Sequence, residues 1–190
     1  MTIFLETERV ILRQFTDTEA DGELLLELDS DPEVMRYIGP FGLGSADAYR
    51  ARIRTNWFAY YAAHPARGVW AAIEKSTNQF MGWFLLRPST DYRFAGEAGW
   101  TRPTDIEIGY RMRKAAWGRG LATEVAARLV KLTLDDPAVT CVVACALVPN
   151  RASTRVMEKV GMLCVREFML PGFPDPCVMY AVCREGCKVL

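Results

Sequence analysis

The period of apolar residues changes several times along the chain, and each change marks a predicted element. Arg9-Val10-Ile11-Leu12-Arg13 reads as a first strand, and Thr16-Asp17-x-Glu19 offers a capped start to a helix reaching about Leu28. A helical turn follows near Asp31 to Tyr37. Ser45 then caps a longer helix, because Tyr49, Ile53, Trp57 and Tyr60 recur on one face at helical spacing. Val69 to Glu74 and Gln79 to Arg87 are β-rich, and the polar turn Lys75-Ser76-Thr77-Asn78 joins them as a hairpin. Beyond a loop from Pro88 to Thr104, Ile106-Glu107-Ile108-Gly109-Tyr110 alternates like a strand, which sends Glu107 to the face opposite Ile106 and Ile108.

From Leu121 the period lengthens to that of a helix. Leu121, Val125, Leu129 and Leu132 share one face, with Glu124, Arg128, Lys131 and Asp135 opposite. The continuous run Val139 to Val148 suits a buried strand; Asn150 opens a second helix that ends at Gly161. Strands at about Met162 to Leu170 and Cys177 to Arg184 complete a mixed α+β sheet.

Composition narrows the functions open to such a fold. At 190 residues and 51% hydrophobic content the chain supports one well-buried core, so a single domain over residues 1–190 is expected. No apolar run reaches the ~18 residues of a membrane span, and Met1 to Glu6 lacks the pattern of a signal peptide, so a cytoplasmic protein is expected. The 23 basic and 23 acidic residues balance, which leaves no global field for nucleic acid or an anionic membrane. Cys141, Cys145, Cys164, Cys177, Cys183 and Cys187 form no C-x-x-C pair and are read as reduced structural thiols. A Ser-His-Asp or Cys-His mechanism would have to rest on the single histidine, His64, where a helix ends before Pro65.

The most informative segment is Arg111 to Glu124, between a predicted strand and a predicted helix. Amides at a helix start, with the positive end of the helix dipole, bind anions, and glycines let the backbone approach them closely. Arg111, Arg113, Lys114 and Arg119 add local positive charge that the whole-chain balance hides. Gly118-x-Gly120 does not continue to glycine at Thr123, and no lysine followed by Ser or Thr closes the loop, so neither common nucleotide fingerprint applies. A phosphate ligand without metal fits what remains.

Trp117-Gly118-x-Gly120-Leu121-Ala122-Thr123-Glu124 resembles the CoA pyrophosphate loop of the GNAT N-acetyltransferases, specifically the Rim-type branch that includes ribosomal-protein N-terminal acetyltransferases. Three further stretches fall in that family's order: Glu6-Thr7-Glu8-Arg9-Val10-Ile11-Leu12-Arg13, Glu107-Ile108-Gly109-Tyr110, and Asn150-x-x-Ser153-x-x-x-x-Glu158-Lys159-x-Gly161-Met162. The resemblance implies a mainly antiparallel, seven-stranded sheet flanked by helices and splayed between its fourth and fifth strands, here Asp105 to Met112 and Val139 to Val148. It implies that the pantetheine arm of acetyl-CoA lies along Ile108, Tyr110 and Met112. The segment Arg113 to Thr123, with Trp117, Gly118, Arg119, Gly120, Leu121 and Ala122, would bind pyrophosphate. Asn150 and Ser153 would approach the thiol. Trp57, Tyr60 and Tyr61 either line an amine pocket or pack in the core.

Two positions depart from the family pattern. Ala115 stands where many members carry Gln or Arg, and Met157 where many carry the tyrosine that protonates the departing thiolate. Ser153, one turn away, is the expected replacement, in competition with water. Glu107 is the candidate general base, acting through a water, with bulk water as the alternative acceptor of the amine proton. The expected reaction is direct acetyl transfer from acetyl-CoA to a primary amine such as a protein N-terminus. It needs no metal, membrane or nucleic acid, and the enzyme would be a monomer or homodimer. A small-molecule acetyltransferase and a non-catalytic CoA-binding module are the alternatives.

Overall fold

The computed structural model describes residues 2–187. The strands are β1 (Ile3–Glu6), β2 (Val10–Gln14), β3 (Gly68–Glu74), β4 (Gln79–Pro88), β5 (Ile106–Met112), β6 (Cys141–Leu147), β7 (Leu163–Phe168) and β8 (Cys177–Cys183). The helices are α1 (Glu19–Ser30), α2 (Pro32–Met35), α3 (Ala46–Arg52), α4 (Phe58–Ala63), α5 (Ala95–Ala98), α6 (Leu121–Leu134) and α7 (Arg151–Lys159). The strands form an eight-stranded sheet in the order β1-β2-β3-β4-β5-β6-β8-β7. This is one strand more than the seven expected. Ile3–Glu6 pairs antiparallel with β2 through a turn in which the Thr7 amide donates to the Val10 carbonyl at 2.9 Å. Among the described residues no helix is long and apolar enough to cross a membrane.

The chain divides into two compact units. The first, residues 1–85 and 110–121, has a core of Phe15, Leu25, Leu28, Val34, Tyr49, Ile53, Ala71 and Phe80. Helix α1 begins later than a cap at Thr16 would place it, because Thr16 is bound elsewhere: its amide and hydroxyl donate to the Asp21 carboxylate at 2.6 and 2.8 Å. Thr18 caps the helix instead, accepting from the Asp21 amide at 3.3 Å. Ser45 caps α3 as expected, but a π-helical turn at Ile53–Trp57 separates α3 from α4. Gly82 has φ +137°, and a Cβ there would lie 2.1 Å from the Arg111 carbonyl oxygen, so only glycine allows this close approach of β4 to β5.

The second unit comprises residues 86–109 and 122–190. The stretch Pro88 to Thr104, expected as a loop, contains a 3₁₀ turn at Ser89–Asp91 and helix α5. Strand β6 pairs antiparallel with β8 from Cys141↔Cys183 to Leu147↔Cys177. Its parallel ladder with β5 is much shorter, covering Ile106↔Val142 and Glu107↔Val143; Ile108, Gly109 and Ala144 to Leu147 lie beyond it. The ladder is therefore short between the strands where the splay was expected. Cys141 and Cys183, directly opposite in the β6–β8 register, are joined by a disulfide, which corrects the expectation of reduced thiols at these two positions.

Candidate functional site

In the first unit the glycine loop leaves β5 through a 3₁₀ turn, Lys114–Ala116. The Arg113 amide donates to the Met81 carbonyl at 2.9 Å and the Trp117 indole to the Met112 carbonyl at 2.9 Å, so the entry to the loop is pinned at both ends of the turn. Gly118 and Gly120 then take φ +71° and +77°, left-handed values that glycine adopts without strain. A Cβ on Gly118 would meet nothing within 4 Å, and one on Gly120 would meet Arg9 Nη2 at 3.6 Å. Leu121 is fully buried and begins α6. Two left-handed glycines at a helix start, the first with open space beside it, suit the close approach of an anion to main-chain amides.

The basic residues around this loop do not supply the free positive charge expected of them. Arg111 pairs with Asp29, Arg113 with Glu27, Lys114 with Glu33 and Arg119 with Glu74. Sequence proximity showed four cations and hid four acids brought in from α1, α2 and β3. Glu74 is 4% exposed, and the Arg119 guanidinium, with Thr77, holds its carboxyl below the ordinary range. Tyr110, half-buried, sits with its ring 5.7 Å from that of Phe84, and Met112 is buried. Trp57 packs on Phe15 at 4.9 Å, Tyr60 on His64 at 4.8 Å, and the Tyr61 hydroxyl donates to the Val69 carbonyl.

In the second unit a group of side chains gathers around Glu107. Its Cα is in register with Val143, and alternation puts Cys145 on the same face of β6 as Val143. Glu107 is 6% exposed, and Arg87 Nε donates to its Oε2 at 2.5 Å. Burial raises the Glu107 carboxyl above the ordinary carboxylate range; Arg87 opposes this without cancelling it, and Asp91 adds to it. The Arg87 guanidinium lies over the Tyr92 ring at 5.4 Å, and the Cys145 thiol donates to the Tyr92 hydroxyl at 3.5 Å. Burial keeps Tyr92 protonated far above its ordinary range. The Cys145 thiol is pushed up first by its hydrogen bond with Cys177 and then by burial.

Asn150 caps α7, its Oδ1 accepting from the Ser153 amide at 3.3 Å. Ser153 is half-buried in the first turn of the helix and Met157 is buried one turn on. Ile108 is buried, and Ala122 and Thr123 are half-buried in the first turn of α6. Glu158 accepts from the Tyr180 hydroxyl at 2.9 Å, which explains it as a structural residue. Arg87, Tyr92 and Cys145 were not singled out by sequence reasoning. Their strands and loop were recognised, but only the alternation of Glu107 hinted at what faces it.

Residues 9–163 match a family model described as Acetyltransferase (GNAT) domain. The chain is 28% identical over 169 residues to the FsC-acetyl coenzyme A-N(2)-transacetylase of Aspergillus fumigatus, across 86% of this chain and 69% of that one. A solved acetyltransferase (GNAT family) from Bacillus anthracis is 25% identical, with 96% of this chain and 98% of that chain covered at a TM-score of 0.72. The RimL ribosomal L7/L12 alpha-N-protein acetyltransferase in complex with coenzyme A matches at a TM-score of 0.71 over 95% of this chain and 97% of that one; its 16% identity makes this a likeness of fold alone.

Proposed function

The chain belongs to the acetyltransferase (GNAT) family and is an acyltransferase, and from that premise we propose that it transfers the acetyl group of acetyl-CoA to a primary amine, an N-terminal α-amine in the first instance. The observation that carries the reading is the pair of left-handed glycines, Gly118 and Gly120, just before α6, the first with open space beside it for a pyrophosphate. Acetyl-CoA supplies the thioester carbonyl. The amides of residues 113–123 would hold its pyrophosphate, the main chain of Ile108, Tyr110 and Met112 its pantetheine arm, and Asn150 with Ser153 would stand toward the thiol. The match of residues 9–163 runs through both units, which supports one catalytic domain over residues 1–190.

Glu107 is the proposed base. A carboxylate raised above its ordinary range is better matched to accepting a proton near neutral pH than an ordinary one, and burial beside Arg87 supplies that raise. Arg87 keeps the ionised form accessible and fixes the carboxyl group in place. Ser153 or water returns the proton to the leaving thiolate. The Aspergillus fumigatus relative bears the name of an N(2)-transacetylase, and a metabolite amine therefore stands as the second acceptor class.

The test is a thiol-release screen with acetyl-CoA against peptides of varied N-terminus, polyamines and aminoglycosides. Release with any of these amines is the expected result, and the class that responds separates the two acceptor readings. CoA binding without release across the whole panel would instead make the protein a binding module. Gly118→Val or Gly120→Val should weaken CoA binding far more than either destabilises the fold. Unchanged CoA affinity in both variants removes the loop from the site.

A further inference from the structure

The N-terminal motif Glu6 to Arg13 has no role in the reaction as described so far, yet one of its side chains reaches the glycine loop. Arg9 Nη1 donates to the Arg119 carbonyl oxygen at 3.0 Å. The residues on either side of Arg119 are the two left-handed glycines, so this carbonyl lies at the centre of the turn. In a trans peptide the carbonyl and the following N–H point in opposite directions. Anchoring the Arg119 oxygen on Arg9 therefore turns the Gly120 N–H away from Arg9.

The anchor is itself framed by the sheet. The Arg9 carbonyl accepts from the Lys75 amide at 2.8 Å, and the next residue, Val10, is in register with Glu74. Glu74 in turn grips the Arg119 side chain. Residue 119 is thus held twice, by its carbonyl through Arg9 and by its guanidinium through Glu74. Without the first hold, Gly120 leaves the 119–120 peptide free to rotate, since glycine samples both signs of φ.

We propose that Arg9 is a positioning residue for the cofactor: it sets the orientation of the Gly120 amide for the pyrophosphate without touching the ligand. This rests on the acetyl-CoA reading above and assigns the Glu6 to Arg13 motif a task within it. Pre-organisation of this kind affects ligands according to whether they carry the pyrophosphate.

The experiment measures dissociation constants of CoA, 3′-dephospho-CoA and pantetheine for the whole protein, for Arg9→Met, and for Arg9→Lys, which keeps a donor. Arg9→Met is expected to weaken CoA and 3′-dephospho-CoA equally, by about tenfold, and to leave pantetheine unchanged. Arg9→Lys should recover part of the loss. A loss confined to CoA would mean that Arg9 touches the 3′-phosphate directly, and a loss shared by pantetheine would mean a general structural role. Either result overturns the proposal, as does unaltered affinity for all three. Failure of the unsubstituted protein to bind CoA would instead overturn the acetyl-CoA reading, and this proposal with it.

Discussion

Asp21 in the first unit and Glu107 in the second are both buried against an arginine, and the two carboxylates respond in opposite directions. In the first unit Asp21 accepts from Arg13 through both terminal nitrogens, at 2.9 and 2.5 Å, and from the Thr16 amide and hydroxyl. Burial pushes its carboxyl up, but these donors together outweigh burial and hold it below the ordinary range. In the second unit the hydrogen bond described for Glu107 comes from Arg87 Nε, and there burial wins. More donors reach Asp21, while deeper burial and the nearby Asp91 weigh on Glu107. A saturated carboxylate is fixed as an anion and ties β2 to α1; an undersaturated one stays close to taking a proton. The first arrangement suits a fold and the second suits a base.

The contrast predicts crossed outcomes for the two amide substitutions. Glu107→Gln should cut turnover by roughly 10² to 10⁴ at neutral pH with the acceptor found in the screen, while CoA affinity and melting temperature change little. Its effect on stability is small for a reason of sign. A carboxyl raised in the folded state contributes stability below its unfolded pKa that is lost as pH rises, so at neutral pH little remains to lose. For the unsubstituted enzyme the same raise moves the acid limb of the pH–rate profile upward, with activity lost as pH falls. Part of the loss in the variant should return at high pH, where the amine deprotonates unaided, and an α-amine near pKa ~8 should suffer less than an alkylamine near ~10.4. Wild-type turnover in Glu107→Gln from pH 6 to 9 would make Glu107 a second structural carboxylate and erase the contrast.

Asp21→Asn should do the reverse, costing about 3–5 kcal/mol of stability because Arg13 loses its buried partner, with kcat of the folded fraction retained. Here the folded pKa is lowered, so the stabilisation is present above the unfolded pKa and lost as pH falls through the folded one. Chemical denaturation followed downward from pH 6 should show unfolding midpoints of the two proteins converging. Thr16→Val is a gentler probe of the donor count: it removes the hydroxyl donor at 2.8 Å and keeps the amide, at about 1.5 kcal/mol. A kcat change in either variant would mean that Asp21 serves the reaction as well as the fold.

The two sites differed in how far the sequence revealed them. Gly118-x-Gly120 before a helical period announces a main-chain anion site, because the property that matters, left-handed φ, belongs to glycine itself. Glu107 was legible as an outward-facing strand residue, but its partner Arg87 lies 20 residues away in sequence, and strand pairing decides that contact. The same limit hid the acids that neutralise Arg111, Arg113, Lys114 and Arg119, and the Cys141–Cys183 link, since register is a tertiary property. Most strands and helices were legible within a few residues from their period alone. The exceptions were β1, α5 and the π-helical turn, each too short or too irregular to show a period.

The smallest expected effect concerns the proton proposed to reach the leaving thiolate. Ser153 is half-buried in the first turn of α7, its amide donates to Asn150, and its hydroxyl is the proposed substitute for the tyrosine missing at Met157, one turn away. A thiol pKa of ~8.5 makes the departing thiolate a tolerable leaving group without help. Removing the hydroxyl therefore costs far less than removing the base: Ser153→Ala should lower turnover less than about tenfold at pH 7, with acetyl-CoA affinity intact. The deficit should shrink as pH rises through the thiol pKa, because above it the product is stable as thiolate and needs no proton. That direction distinguishes a proton donor from a residue that merely shapes the pocket, for which the deficit would be constant with pH. A Ser153→Ala profile that coincides with the unsubstituted enzyme from pH 6 to 9 assigns protonation of the thiolate to water and leaves Glu107 as the one proposed proton-transfer residue.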